Sequence, residues 1–305
     1  MSVEQQNPEL SFGDLVNQVW KNKGLVIVVC IFTTLAGLYV AISKPDVYMS
    51  EVLLSPNSDD KSSSLGGLTS ELSGISTLVG LSLGGSKVDQ TLLNLEVLKS
   101  RHFLTNFIEE NDLAVKIMAV TSWDMHKKTL SYDEKLYNQD SGQWVREVSP
   151  PRQPKPSAQE LYEAFTEDNL VITSNTETGL LTVAIKHYSP YIAQQILTGL
   201  VDGINKELRE RALKEADLSI QYLESAMKNT DVSQSIRILY ELIETQQNEK
   251  MLASVKDDYA FKIIDPAIVP EKKYGPSRAL IIVLAMMLGL FLSVTIITIK
   301  FSRSL

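Results

Sequence analysis

The residues able to carry chemistry in this 305-residue chain are sparse and scattered. His102, His126 and His187 are far apart with no metal-ligand spacing between them, so no metal site is expected. The one cysteine, Cys30, lies inside an apolar run, which leaves no disulfide framework. The chain is expected to lack a GxSxG elbow, an HExxH helix and a cysteine pair, so no reaction centre and no cofactor are expected. The spacings that do stand out belong to small residues. Thr33, Gly37 and Ala41 are four apart, as are Ala285, Gly289 and Ser293. On a helix this spacing makes one face, and small residues on it let two helices approach closely in lipid. A second group, Asp265, Pro266, Pro270, Pro276 and Arg278, precedes the later of these stretches. The X–Pro base rate of about 5–6% is all that favours a cis bond at Asp265–Pro266 or before Pro270.

The two small-residue faces sit in uninterrupted apolar runs, 24–42 and 279–299, neither of which contains a charge. Each is close to the roughly 20 residues that span a hydrocarbon core. The first run is longer than a signal-peptide core of about 7–15 residues, and no small-x-small cleavage site follows it. The second has no polar face, as a core helix would. Lys21 and Lys23 precede the first run, and Lys300 and Arg303 follow the second. Lys272, Lys273 and Arg278 point weakly the other way, but a loop of roughly 235 residues translocates largely regardless of charge. The positive-inside rule therefore places residues 1–23 and 300–305 in the cytoplasm and residues 43–278 in the periplasm of an inner-membrane protein with two spans. The loop holds about 34 acidic against about 24 basic side chains, which disfavours nucleic acid as a partner.

The chain between the spans reads as mixed α and β. Leu10, Phe12, Leu15, Val16, Val19 and Trp20 predict an interfacial helix before the first span. Residues 47–55 predict a strand, ended by Pro56 and Asn57. The Ser-, Gly- and Leu-rich segment 61–86 has too many apolar side chains for a solvated linker, and predicts a short docked helix or a membrane-proximal contact. One helix is expected over 88–111, loop or hairpin over 121–157, and a helix over 158–166. Strands at 170–174 and 180–187 are joined by a turn ending in Gly179. Ser189 at an N-cap and Pro190 at N1 start a helix running to about residue 229, about 60 Å long. Ile192, Ile196, Leu200, Ile204 and Leu208 form its stripe, continued by Leu213, Ala216, Ile220, Leu223 and Met227. Asp231 and Gln234 resemble a capping box for a second helix to about residue 258, returning antiparallel. A strand at 261–264 closes the region. The expected fold is thus an α+β membrane protein. Two spans flank an α/β base (about 46–188 and 259–277) that carries a helical hairpin arm (about 189–258).

These pieces, in this order, resemble the Wzz-type polysaccharide chain-length regulators, also called polysaccharide co-polymerases. The resemblance rests on the first span, Ser100-Arg101 with Phe103, Thr178-Gly179-Leu180, Ser189-Pro190 with Ala193, and the stretch DPAIVPE from Asp265. Pro276 with Arg278 and the glycine of the second span complete it. It implies a periplasmic base with a helical arm, assembled into a ring-like homo-oligomer. It also implies control of how many repeat units a Wzy-type polymerase adds to a lipid-linked polysaccharide, O-antigen being the leading case. On this view the small-residue faces pack on each other or on the polymerase. Arg209, Arg211 and Lys214, among Glu207, Glu210 and Glu215, meet glycan or a neighbouring subunit; a solvated face with pairs such as Glu210–Lys214 is the simpler reading. Some relatives carry a tyrosine kinase after the second span. Here only residues 300–305 follow and no GxxxxGK(S/T) loop is present, so the kinase, if any, is expected on another chain. The rival readings are a capsule or exopolysaccharide co-polymerase serving an export channel, and a periplasmic sensor.

Overall fold

The computed structural model describes residues 20, 22–57, 87–229 and 233–302. The stretch from Leu10 to Val19, segment 61–86 and Asp231 of the expected capping box lie outside these residues. Gly80-Leu81-Ser82-Leu83-Gly84, also outside them, does have GxSxG spacing, which corrects the expectation that the chain lacks it. In a segment built of Gly, Ser and Leu that spacing follows from composition.

Among the described residues the helices are α1 (Lys23–Ser43), α2 (Lys87–Lys99), α3 (Arg101–Glu110), α4 (Ala114–Met118), α5 (Ala158–Ala164), α6 (Pro190–Lys228), α7 (Ser233–Val255) and α8 (Arg278–Ser302). The strands are β1 (Tyr48–Pro56), β2 (Val120–Asp124), β3 (Thr129–Tyr132), β4 (Tyr137–Asn138), β5 (Gln143–Trp144), β6 (Leu170–Ser174), β7 (Leu181–His187) and β8 (Phe261–Asp265). The chain divides into two units, Tyr48–Lys272, and Met1–Val47 with Lys273–Leu305.

In the first of these units β1 alternates, with Ser50, Val52 and Leu54 buried and Glu51 exposed. That period of two sets one face toward a core. β1 is central in an antiparallel sheet of order β6-β7-β1-β8, so strands distant in sequence do close one small sheet, as expected. Tyr48 faces His187 and Leu54 faces Leu181, and a bulge between Leu53 and Leu54 shifts the pairing to β8. The β6–β7 turn is held by Asn175 Oδ1, which accepts from the Glu177 and Thr178 N–H groups at 2.9 and 3.1 Å. Gly179 closes it at φ +69°, a left-handed conformation that glycine adopts without a Cβ clash.

Leu54, Val183 and Ile185 from the sheet, Leu104 and Ile108 from α3, and Leu197, Leu200 and Ile204 from α6 are fully buried together with Phe165 and Phe261. Each such side chain contributes about 1.5–3 kcal/mol. The single helix expected over 88–111 is two helices. Ser100 adopts an extended conformation, and its hydroxyl accepts from Phe103 N–H at 3.3 Å as an internal N-cap. The break lets Phe103, Leu104, Phe107 and Ile108 all reach the core. α5 ends at Ala164 and continues as a wide turn over Phe165–Asn169. Ser157 and Glu160 form a full capping box at its start.

α6 begins where Ser189-Pro190 predicts, but the Ser189 hydroxyl makes no capping bond. The Ser189 N–H donates instead to His187 Nδ1 at 2.9 Å, and His187 Nε2 donates to the Lys116 carbonyl at 3.0 Å. α7 runs back along α6, with Lys250 on Asp217 at 2.6 Å and Arg209 on Asp257 at 3.3 Å. The proximal turns of α6 bury Ile196, Leu200, Ile204 and Leu208, whereas the distal hairpin leaves Leu218, Tyr222, Tyr240 and Leu242 exposed.

In the second unit α1 and α8 are each long and apolar enough to cross a membrane, and they pack on each other. Val47 bridges Gly275 beside them. The cis peptide bonds are Pro150–Pro151 and Gly275–Pro276, not those before Pro266 or Pro270.

Candidate functional site

The small-residue faces of α1 and α8 meet. A Cβ built on Gly37 would overlap the Cβ of Ala285. One built on Gly289 would overlap Thr33 Oγ1 and come within 3.2 Å of Cys30 Cα. Ala41 and Ser293 are buried on the same two helices, and the Ser293 hydroxyl donates to its own helix at the Leu290 carbonyl, 2.8 Å away. The two helices are therefore closest where only glycine fits, the geometry by which helices associate in lipid without a hydrophobic drive.

At the end of this pair Asp46 accepts from Arg278 Nη2 at 2.9 Å and from Lys273 Nζ at 3.2 Å. Two of the three cations that oppose the positive-inside count thus share one carboxylate, which offsets one of their two charges. Pro276 lies between them in the chain, next to the Val47–Gly275 bridge. Asp265 ends β8 opposite Leu53. The irregular stretch after it, through Pro266 and Pro270, is fastened by the buried Ser50 hydroxyl, which donates to the Ile268 carbonyl at 2.7 Å.

The arm cations do not form one cluster. Arg209 pairs with Asp257 just after the end of α7, and Arg211 pairs with Glu207 at 2.6 Å along α6. Lys214 is exposed. Glu210 pairs with Lys206 at 3.9 Å rather than with Lys214, because the i−4 partner is the one within reach.

Sequence reasoning missed three arrangements. Arg146 and Glu160, 14 residues apart, form a nearly buried bidentate pair. Asn205, in the buried stripe of α6, accepts from the Ala260 and Phe261 N–H groups at 2.9 and 2.8 Å and donates to the Phe261 carbonyl at 2.9 Å. An amide among Val201, Ile204 and Leu208 was the available signal. The third is a cleft of about 550 Å³ where the β2–β3 hairpin meets the start of α6, lined by Trp123, Tyr132 and Tyr191 among others. The Trp123 and Tyr191 rings are 6.1 Å apart at 56°. Its aromatic residues come from separate segments that no local spacing connects.

Two apolar helices long enough to cross a membrane, paired through glycine contacts, flank in sequence an α/β unit that carries a helical hairpin. Residues 8–111 match the family model of the chain length determinant protein (Wzz), and residues 224–302 match a model described as a G-rich domain on putative tyrosine kinase (GNVR). The match over residues 8–111 is to the family that the sequence motifs resemble. A solved structure described as a full-length bacterial polysaccharide co-polymerase is similar to it at 16% identity, covering 96% of this chain and 98% of that one, with TM-score 0.39. Another, a fragment of WzzB, a polysaccharide co-polymerase from Salmonella Typhimurium, shows 15% identity over 76% of this chain and 100% of that one, with TM-score 0.27. Among curated proteins none matches.

Proposed function

We propose that this chain regulates O-antigen chain length, as a non-catalytic scaffold that sets how many repeat units a Wzy-type polymerase adds to a lipid-linked polysaccharide. The observation that carries this reading is the chain-length-determinant match, which runs from before α1 through α3. The unit Tyr48–Lys272 supports a scaffold in particular. Its distal arm leaves Tyr222 at 73% exposure and Leu218 at 58%, a stripe suited to neighbouring copies in a ring-like homo-oligomer. The proposed placement is the inner membrane with both termini cytoplasmic and residues 43–278 periplasmic. Lys21 and Lys23 before the first apolar run, and Lys300 and Arg303 after the second, support that orientation.

A second reading, a capsule or exopolysaccharide co-polymerase working with a separate kinase and an export channel, is favoured by the GNVR match over 224–302. One experiment separates the two. The gene is deleted and the surface polysaccharide is run on a gel. Loss of a preferred length band with polymer still made supports the first reading. Loss of the polymer supports the second, and an unchanged profile removes both.

A further inference from the structure

We infer that the cleft between the β2–β3 hairpin and the start of α6 binds a saccharide segment, an assignment that rests on the chain-length reading and names the surface where glycan is held. Its volume of about 550 Å³ falls within the roughly 300–1,000 Å³ of small-molecule sites. Trp123, Tyr132 and Tyr191 supply aromatic surface, and Lys128 and Gln139 supply hydrogen-bonding groups at the same cleft. A pyranose ring presents a face of C–H bonds and a rim of hydroxyls. The C–H face carries slight positive charge and meets the electron-rich face of an aromatic ring, while the hydroxyls need polar partners around it.

The geometry suits that division. Trp123 and Tyr191 are tilted by 56° rather than stacked, so they do not consume each other's faces and make a corner with two platforms. Tyr191 is 46% exposed although it follows directly on the first residue of α6. The Lys128 ammonium lies over one face of the Tyr191 ring, 5.6 Å from its centroid, and is a donor at the edge of the cleft that moves aside or bonds the sugar hydroxyls when that face is used. Two of the lining residues, Trp123 and Ser189, also carry buried polar atoms with no hydrogen-bond partner, Nε1 and Oγ. Folded chains rarely leave such atoms unsatisfied. Both atoms are enclosed as the side chains stand, so a hydroxyl-rich ligand that parts those side chains as it enters supplies the missing partners, which an apolar peptide or an acyl chain does not.

The test uses the full-length protein in nanodiscs. The probe is an oligosaccharide of a few repeat units, released by mild acid from the surface polysaccharide of the same cells and followed by titration calorimetry. Wild type is expected to bind, with Tyr191→Ala and Trp123→Ala weakening binding at least about tenfold. Tyr191→Phe, which keeps the ring, is expected to bind as wild type. Should Trp123→Ala fold poorly, the half-exposed Tyr191→Ala decides alone, with unchanged melting temperature as its control. No binding by wild type, or undiminished binding by Tyr191→Ala, overturns the assignment. Binding of a decyl chain in preference to the sugar overturns it as well. Failure here is distinct from failure of the chain-length reading: a deletion strain that loses its length band upholds that reading whatever the titration gives.

Discussion

Arg146 and Glu160 meet as a forked pair, Nη1 on Oε1 at 2.9 Å and Nη2 on Oε2 at 2.7 Å. The same guanidinium donates to the carbonyls of Pro154 and Gln153, at 2.7 and 2.9 Å, so one cation ties the proline-rich stretch to the first turn of α5. Hydrogen bonds from Arg146 hold the Glu160 carboxyl down to about 2, from an ordinary value of 4.5, against the opposing effect of burial. A lowered folded-state value means the contribution is complete above about pH 4.5 and is lost as pH falls toward 2. Thermal melting of wild type is expected to drop across that window, and the Glu160→Gln variant is expected to lose that part of the dependence. At neutral pH, Arg146→Ala leaves the nearly buried carboxylate with the Ser157 N–H at 2.9 Å and the exposed Arg152 guanidinium at 3.7 Å, and is expected to cost about 1–3 kcal/mol. A melting temperature unchanged in Arg146→Ala contradicts this account.

Asn205 is the polar fastening between α6 and β8. Its three hydrogen bonds go to backbone groups of Ala260 and Phe261, and it is itself buried. Asn205→Leu keeps the volume and leaves those groups without the amide. The expected loss is about 1–3 kcal/mol or more, since each buried group left unmade costs on that scale. Denaturant unfolding checks it: the midpoint is expected to fall with little change in slope.

These two arrangements show where sequence reading stopped. Periodicity finds what repeats locally. It found the apolar runs of α1 and α8, the β6–β7 hairpin and the start of α6, because each is written in adjacent residues. Ser100 looks like an ordinary polar residue within a helical pattern, and only the direction of the core explains why it caps α3. Arg146 sits in irregular chain with no period at all, so its partner could not be inferred. The central place of β1 depends on partners more than 120 residues away. The small-residue spacing was legible at Gly37 and Gly289, but which residues they face was not.

Gly203 gives a prediction of the opposite sign. It lies inside α6, and a Cβ there would meet Phe107 Cδ2 at 3.6 Å and Phe103 Cζ at 3.8 Å, ordinary contact distances. Gly203→Ala therefore fits, reduces the freedom of the unfolded chain and improves helix propensity. It is expected to stabilise the unit by about 0.5–1 kcal/mol. A lower melting temperature would show that the two rings leave no space.

At Gly289 the same substitution logic reverses. Any Cβ meets the Thr33 hydroxyl on the facing helix, so Gly289→Leu is expected to push α1 and α8 apart. Overpacking on this scale costs about 1–3 kcal/mol. The melting temperature of the protein in nanodiscs is expected to fall in Gly289→Leu relative to the parent. If the scaffold works through this face, the length band of the polysaccharide also broadens. A variant that melts and regulates as the parent does sets aside a role for this face.

His187 couples pH to the foot of the arm. It is buried at the end of β7, where Nε2 donates to the Lys116 carbonyl and Nδ1 accepts from Ser189 at the start of α6. Burial pushes its protonation below the ordinary value of 6.5, and the Lys116 charge acts in the same direction against the favourable Lys116 carbonyl contact. Protonating Nδ1 would also end the bond from the Ser189 N–H, since a charged imidazole has no acceptor. A lowered folded-state value means stability is complete above about pH 6.5 and declines as pH falls below it, because the unfolded chain then takes up the proton first. Melting temperature is expected to decline from pH 7 to pH 5. His187→Phe, less stable at pH 7 for want of both hydrogen bonds, is expected to show a shallower decline over that range. Equal slopes in the two proteins would place the pH response at another group and leave His187 as a packing residue alone.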